Sequence, residues 1–176
     1  MIEKTYQQDD CYSSAIYSDC QQYRYKLTRT WDDNGKRILF IMLNPSKATE
    51  LKNDPTVERC ERRARALGYG AFRVTNIFAW RATDPKDMRA AADPTGLDND
   101  EAIRESCNWA DDVLCAWGTH GAHLDRGRKI VELLKGLSIN PMHLGLSKEG
   151  HPKHPLYIAY AQLPQSWWSG NDAVLG

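Results

Sequence analysis

The sequence predicts an α/β fold: a three-layer α/β/α arrangement around a mainly parallel four-stranded central sheet, with one antiparallel strand added on the N-terminal side. Three observations carry this. Residues 38–43, 72–80, 113–117 and 142–146 are apolar runs with little alternation, as expected of strands covered on both faces. Segments with helix signals separate them, the spacing of βαβ units. The 176 residues are enough for one well-covered core.

In chain order, residues 1–22 are polar and weakly patterned and read as a loose lead-in. Tyr23, Tyr25, Leu27 and Arg29 then alternate with Arg24, Lys26 and Thr28, the period of a strand. Asp33-Asn34-Gly35 is a turn signal because Asn and Gly accept positive φ, so residues 23–43 read as a hairpin running into a central strand. Asp54-Pro55 opens a helix, with Asp54 as N-cap and Pro55 in the first turn. Val57, Cys60, Ala64 and Leu67 form its inward stripe, and Gly68 ends it. Arg59, Arg62, Arg63 and Arg65 lie off the stripe and read as a solvated face. Asp84-Pro85 repeats the start signal for a short helix to residue 92. Helices over 98–110 and 121–135 follow, the second with Ile130, Val131 and Leu134 inward. Trp167-Trp168 read as aromatics that dock a terminal segment. The expected organisation is a lead-in over 1–22, one α/β domain over 23–164 and a C-terminal tail over 165–176.

Composition removes several function classes. Lys and Arg total 23, as do Asp and Glu, and the sequence pI is about 6.9, which argues against coating nucleic acid by bulk charge. A local basic rim that holds DNA or a nucleotide remains open. No stretch approaches the ~20 apolar residues of a membrane span, so no membrane partner is expected. The N-terminus lacks the basic and apolar regions of a signal peptide. The five cysteines are odd in number and form no Cys-x-x-Cys pair, which points to reduced thiols and the cytoplasm.

In an open parallel sheet, ligands bind beyond the carboxyl ends of the strands, near the point where strand order reverses. The segments following the predicted strands carry Asn44-Pro45-Ser46, then Asn76 with Trp80 and Arg81, then Gly118 with His120, then His151, Lys153 and His154. Each has a structural reading too. Asn44-Pro45 stops a strand as a turn does, and Trp80 and Trp117 serve equally as core aromatics. Asn76 inside an apolar strand is less easily explained, because a buried amide must find partners. The pairs His120/His123 and His151/His154 have metal-like spacing, but no carboxylate or cysteine completes a zinc pattern. No metal or cofactor is expected.

The phrases Phe40-Ile41-Met42-Leu43-Asn44-Pro45-Ser46, Asp54-Pro55-Thr56, Asn76-Ile77-Phe78-Ala79-Trp80-Arg81-Ala82-Thr83-Asp84-Pro85, Ala116-Trp117-Gly118 and Gly150-His151-Pro152-Lys153-His154-Pro155-Leu156-Tyr157 resemble those of a bacterial and phage family catalogued as domain of unknown function 1643. More distantly, the same phrases in the same order are similar to motifs of the uracil-DNA glycosylase superfamily. Leu43-Asn44-Pro45 stands at its water-handling loop, with Met42 where that loop has glycine. Thr75-Asn76-Ile77 stands at its base-reading strand, Trp117-Gly118 at the end of its third strand, and His154-Pro155-Leu156-Tyr157 at its closing motif, with Leu156 in place of serine. This resemblance implies a uracil-DNA glycosylase-like fold and cleavage of an N-glycosidic bond in DNA or a nucleotide. Asn44 and His154 are then the catalytic pair, His154 being preferred to His151 because Pro155-Leu156-Tyr157 follow it. Pro45, Ser46, Asn76, Trp80, Arg81, Gly118, His120, His151 and Lys153 are then substrate-binding. The alternatives are a nucleic-acid or nucleotide binding module without turnover, and a small-molecule transferase or hydrolase on the same rim.

Overall fold

A computed structural model describes residues 1–168. The chain is α/β: among the described residues four helices pack on a mixed eight-stranded sheet of order β1-β2-β3-β5-β4-β6-β7-β8. This is larger than the expected four parallel strands plus one. The parallel part is β4 (Arg37–Met42), β5 (Ala71–Asn76), β6 (Asp112–Cys115) and β7 (Met142–His143). Antiparallel strands flank it on both sides.

Residues 1–22, read as a loose lead-in, contain an antiparallel hairpin of β1 (Ile2–Gln8) and β2 (Cys11–Tyr17). The inward positions of β2 are Ser13, Ala15 and Tyr17, small or polar residues that give no hydrophobic alternation to read. Asp9 closes the turn at φ 52, a conformation Asp tolerates better than most side chains.

β3 (Arg24–Thr30) does not form a hairpin with β4. β5 inserts between them, antiparallel to β3 with Leu27 opposite Val74, and parallel to β4 with Met42 opposite Asn76. The linking segment crosses the start of β5 instead of turning tightly. The N–H groups of Trp31 and Asp32 both donate to the Gly70 carbonyl, and a Cβ at Gly70 would lie 2.3 Å from the Asp32 carbonyl oxygen. Glycine is required there by close approach.

α1 (Pro55–Ala66) starts where expected: Asp54 Oδ1 accepts from the Val57 N–H at 2.9 Å, and Gly68 follows its end at φ 85. Its Val57, Cys60 and Ala64 pack on Phe40, Met42, Phe72 and Val74 on one sheet face. α2 (Pro85–Ala90), α3 (Asn99–Trp109) and α4 (Arg126–Gly136) cover the other face, where Met88, Ile103, Ile130 and Leu134 meet Leu39, Ile41, Val113 and Cys115. The helix expected over 121–135 begins later, since Leu124 and Asp125 take positive φ and separate a 3-10 segment, Thr119–Asp125, from α4. β5 and β7 stop short of the expected ends. Beyond Asn76 the chain bends so that the N–H groups of Ile77 and Phe78 reach the Met42 and Leu43 carbonyls, and β7 gives way to Gly145 at φ 124. β8 (Gln165–Ser166) pairs with β7 and brings Trp167 onto Trp117 and buries Trp168. The expected tail continues to residue 176, so residues 169–176 of it lie outside the described residues. Among the described residues no helix is long and apolar enough to cross a membrane.

Candidate functional site

β4 lies between β5 and β6, so the chain leaves β4 to one side through α1 and later crosses to the other side to form β6. The loops at the carboxyl ends of β4, β5 and β6 therefore diverge, leaving a crevice of the kind in which open α/β sheets hold ligands. A cavity of about 600 Å³ occupies it, within the range that encloses a small ligand. Asn44, Asn76 and His154 all line it, as do Pro45, Ser46, Gly118 and His120.

The local surroundings set the state of each group. Asn44 Nδ2 donates to the carbonyls of Ala82 at 2.8 Å, Pro45 at 3.2 Å and Trp80 at 3.5 Å, which anchors the 80–82 loop. No described residue donates to Oδ1, so the amide is oriented with its acceptor free. Asn76 follows Phe72 and Val74 on the α1 side of β5, where it is 2 % exposed, and its Oδ1 has no partner. Its backbone carbonyl is held from the opposite side by Asn99 Nδ2 at 2.8 Å. His154 Nδ1 accepts the Leu156 N–H at 3.3 Å, which leaves the proton on Nε2. Burial pushes the imidazole down to about 4, with Asp54 opposing weakly. His154 is thus a neutral N–H donor at physiological pH. Gly118 sits beside it at φ 75, a conformation that favours glycine; a Cβ there would only touch the His154 Cβ at 3.6 Å. Ser46 Oγ lies 3.3 Å from Thr83 Oγ1, and His120 Nδ1 lies 3.1 Å from Arg89 Nη1.

Four expected binding residues do not line the cavity. Trp80 turns its ring edge-on to Tyr23 at 5.4 Å. Arg81 stacks on Tyr17 at 5.1 Å and donates to the Gln21 carbonyl, tied to the end of β2 and the segment that follows it. His151 packs toward α4, with Cε1 3.5 Å from where a Gly127 Cβ would be, and burial lowers its pKa. Lys153 lays its aliphatic stem against Gly145.

Residues that gave no functional signal in the sequence take part instead. Asp54, Cys60 and Arg24 line the cavity, and burial pushes the Cys60 thiol up to about 12. The arginine run on α1 is not a uniformly solvated face. Arg59 Nε donates to the Pro155 carbonyl at 3.0 Å, its Nη2 reaches the Ile158 carbonyl, and Arg63 Nη1 donates to the Gln162 carbonyl at 2.8 Å. These bonds clamp to α1 the segment that presents His154. Tyr157, 90 % exposed, stands at the cavity mouth. Among the described residues no group of three or more His, Cys, Asp or Glu side chains is placed to hold a metal.

Residues 24–156 match the family described as "Protein of unknown function (DUF1643)", and the chain belongs to that family. No curated protein and no solved structure matches the chain.

Proposed function

We propose that this member of the DUF1643 family uses the cavity as a nucleobase-directed active site, cleaving the N-glycosidic bond of a nucleotide or of a modified base in DNA in the manner of the uracil-DNA glycosylase superfamily. The observation that carries the proposal is the meeting of Asn44, Asn76 and His154, from distant stretches of chain, around one cavity of about 600 Å³. Bond cleavage leaves positive charge on the sugar and negative charge on the departing base. His154 Nε2–H donates to the base oxygen where that charge grows, and its low pKa keeps it a neutral hydrogen-bond donor rather than a charged imidazolium. Asn76 supplies an acceptor with no protein partner, suited to an N–H on the base edge. Asn44 Oδ1 holds the attacking water, while its Nδ2 is fixed by the 80–82 loop. An amide is not a strong general base, so acceleration rests on stabilising the leaving group. Tyr157 offers a face on which the base stacks.

Incubation with oligonucleotides carrying uracil, hydroxymethylated or glucosylated bases, and with the corresponding nucleotides, is expected to release free base from at least one member, detected by mass spectrometry. Folded protein that releases none across the panel overturns the enzymatic assignment. A nucleotide-binding module without turnover is favoured by one observation. Asp54 carries the sole carboxylate among the described lining residues, and both its oxygens accept backbone N–H groups, from Val57 and Ala48. That outcome predicts a ligand-dependent rise in melting temperature without base release.

A further inference from the structure

Arg24 is a buried cation with too few partners. It is 2 % exposed and lines the cavity. Its Nη1 donates to the Ala48 carbonyl at 2.9 Å, its Nε has no partner, and it forms no ion pair among the described residues. Other buried arginines are more fully bonded, although Arg29 Nη1 and Arg63 Nε also lack a partner, and neither residue lines the cavity. Arg29 donates to the Thr49 and Lys52 carbonyls and twice to Asn53 Oδ1. Arg126 joins the Ile77 carbonyl to Asp100. The neighbouring carboxylates are already engaged: Asp54 caps α1, and Glu50 accepts from Tyr17 Oη at 2.9 Å.

A break in strand register aims Arg24 inward. Opposite β2, Ile16 pairs with Lys26 but Tyr17 pairs with Arg24, so Tyr25 is left as the extra residue of a bulge. Simple alternation from Leu27 and Arg29, both on the α1 side, would send Arg24 to the other face. The bulge reverses that, and bulges characteristically re-aim a side chain beside a binding site. A desolvated guanidinium costs free energy unless a counter-charge meets it, and burial does pull Arg24 down to about 10.

We propose that Arg24 is an anion-binding residue and that the cavity takes a free nucleoside monophosphate whose terminal phosphate it holds. This rests on the nucleobase assignment above and narrows it. A planar guanidinium pairs with phosphate oxygens through two parallel bonds. The N-terminus of α1, whose Pro55 and Thr56 line the same cavity, adds a dipole of the right sign. A base flipped from a DNA strand keeps its phosphates at the rim, yet Arg81 and Lys153, two cations expected to meet them, are turned elsewhere. Of the two basic side chains that line the cavity, Lys47 is exposed at the rim and Arg24 lies inside, where a terminal phosphate can reach and a continuing strand cannot easily follow.

Calorimetric titration of the whole chain tests this. The probes are the deoxynucleoside monophosphates of the common bases and uracil, each matching nucleoside, inorganic phosphate, and a uracil-containing oligonucleotide. At least one monophosphate is expected to bind about tenfold or more tighter than its nucleoside, the scale of a charge-assisted pair. Arg24→Met is expected to erase that preference without changing nucleoside affinity, and Arg24→Lys to retain part of it. Should Arg24→Met fail to fold by circular dichroism, Asn76→Asp serves instead: its added negative charge is expected to weaken the monophosphate more than the nucleoside. Equal binding of monophosphate and nucleoside, or a preference that survives Arg24→Met, overturns the Arg24 assignment while the nucleobase site stands. Tighter binding of the oligonucleotide overturns the free-nucleotide assignment in favour of DNA. Arg24-dependent binding of inorganic phosphate with no response to any nucleoside or nucleotide overturns the nucleotide assignment and the nucleobase site together. Silence from every probe overturns both.

Discussion

The two ends of the parallel strands treat their polar groups in opposite ways. At the amino ends, side chains satisfy one another. Tyr69 Oη donates to Asp112 at 2.6 Å, Trp31 Nε1 donates to the Tyr69 carbonyl at 3.0 Å, and Asp111 accepts from the Arg37 N–H at 2.9 Å. At the carboxyl ends, Arg24 Nε and Asn76 Oδ1 are buried at a cavity with no partner. Buried polar groups are normally hydrogen-bonded, so the first end accounts for itself in stability, and we assign the unmet groups of the second to a ligand. Lack of a partner does not by itself mark the cavity: Arg29 Nη1, Arg63 Nε, Asn99 Oδ1 and His151 Nδ1 are also buried and unpaired on residues that do not line it, and Thr75 Oγ1, next to Asn76 in a strand, points to the opposite sheet face.

The sharpest contrast is kinetic. His154→Ala is expected to lower base release by about 100- to 1,000-fold with the fold retained, as measured by initial rates alongside circular dichroism. Asn44→Ala is expected to act similarly but also to lower stability by about 1–2 kcal/mol, because its contacts with the Trp80 and Ala82 carbonyls anchor the 80–82 loop. Equal rates for wild type and His154→Ala would break the proposed difference between the two ends.

Two amides that meet at one carbonyl give the next test. Asn99 donates to the Asn76 and Ile77 carbonyls from the far side of the sheet, so Asn99→Ala is expected to cost about 2–3 kcal/mol in urea unfolding. Asn76→Ala removes an acceptor with no protein partner and is expected to change stability by less than about 1 kcal/mol while weakening ligand binding. The reverse order would make Asn76 a structural residue.

Acidity probes the same cavity. The folded chain holds His154 near 4, whereas the unfolded chain titrates near the ordinary 6.5. Between those values the unfolded state takes up a proton that the folded state refuses. Stability is therefore expected to fall on acidification from about pH 6.5 to about pH 4 and to be fully present above that window, with a contribution on the order of 2 kcal/mol from His154. His143 and His151 are also lowered by burial and act in the same direction. The readout is the flatter profile of His154→Ala relative to wild type. The smallest expected effect belongs to the amino end: Tyr69→Phe should cost about 1 kcal/mol and leave binding and turnover unchanged.

Much of the parallel core, and several of the residues that line the cavity, were legible in the sequence because the signals there are local. Unbroken apolar runs marked β4, β5 and β6, Asp-Pro pairs marked the starts of α1 and α2, and a lone amide in an apolar strand marked Asn76. The N-terminal hairpin left no such trace, since Ser13, Ala15 and Tyr17 do not form an apolar period. Trp80 and Arg81 were drawn toward the site by proximity in sequence to Asn76, but contacts with Tyr23, Tyr17 and Gln21 take them away.

The residues alone determined an α/β chain with polar side chains gathered at the carboxyl ends of its strands, because periodicity, capping and turn preference act over a few neighbours. Only the tertiary structure decided that β5 separates β3 from β4, that α1 arginines clamp the segment bearing His154, and that a bulge at Tyr25 turns Arg24 into the cavity. Those outcomes depend on which strand pairs with which and in what register, and pairing across tens of residues is settled by packing that no short window contains.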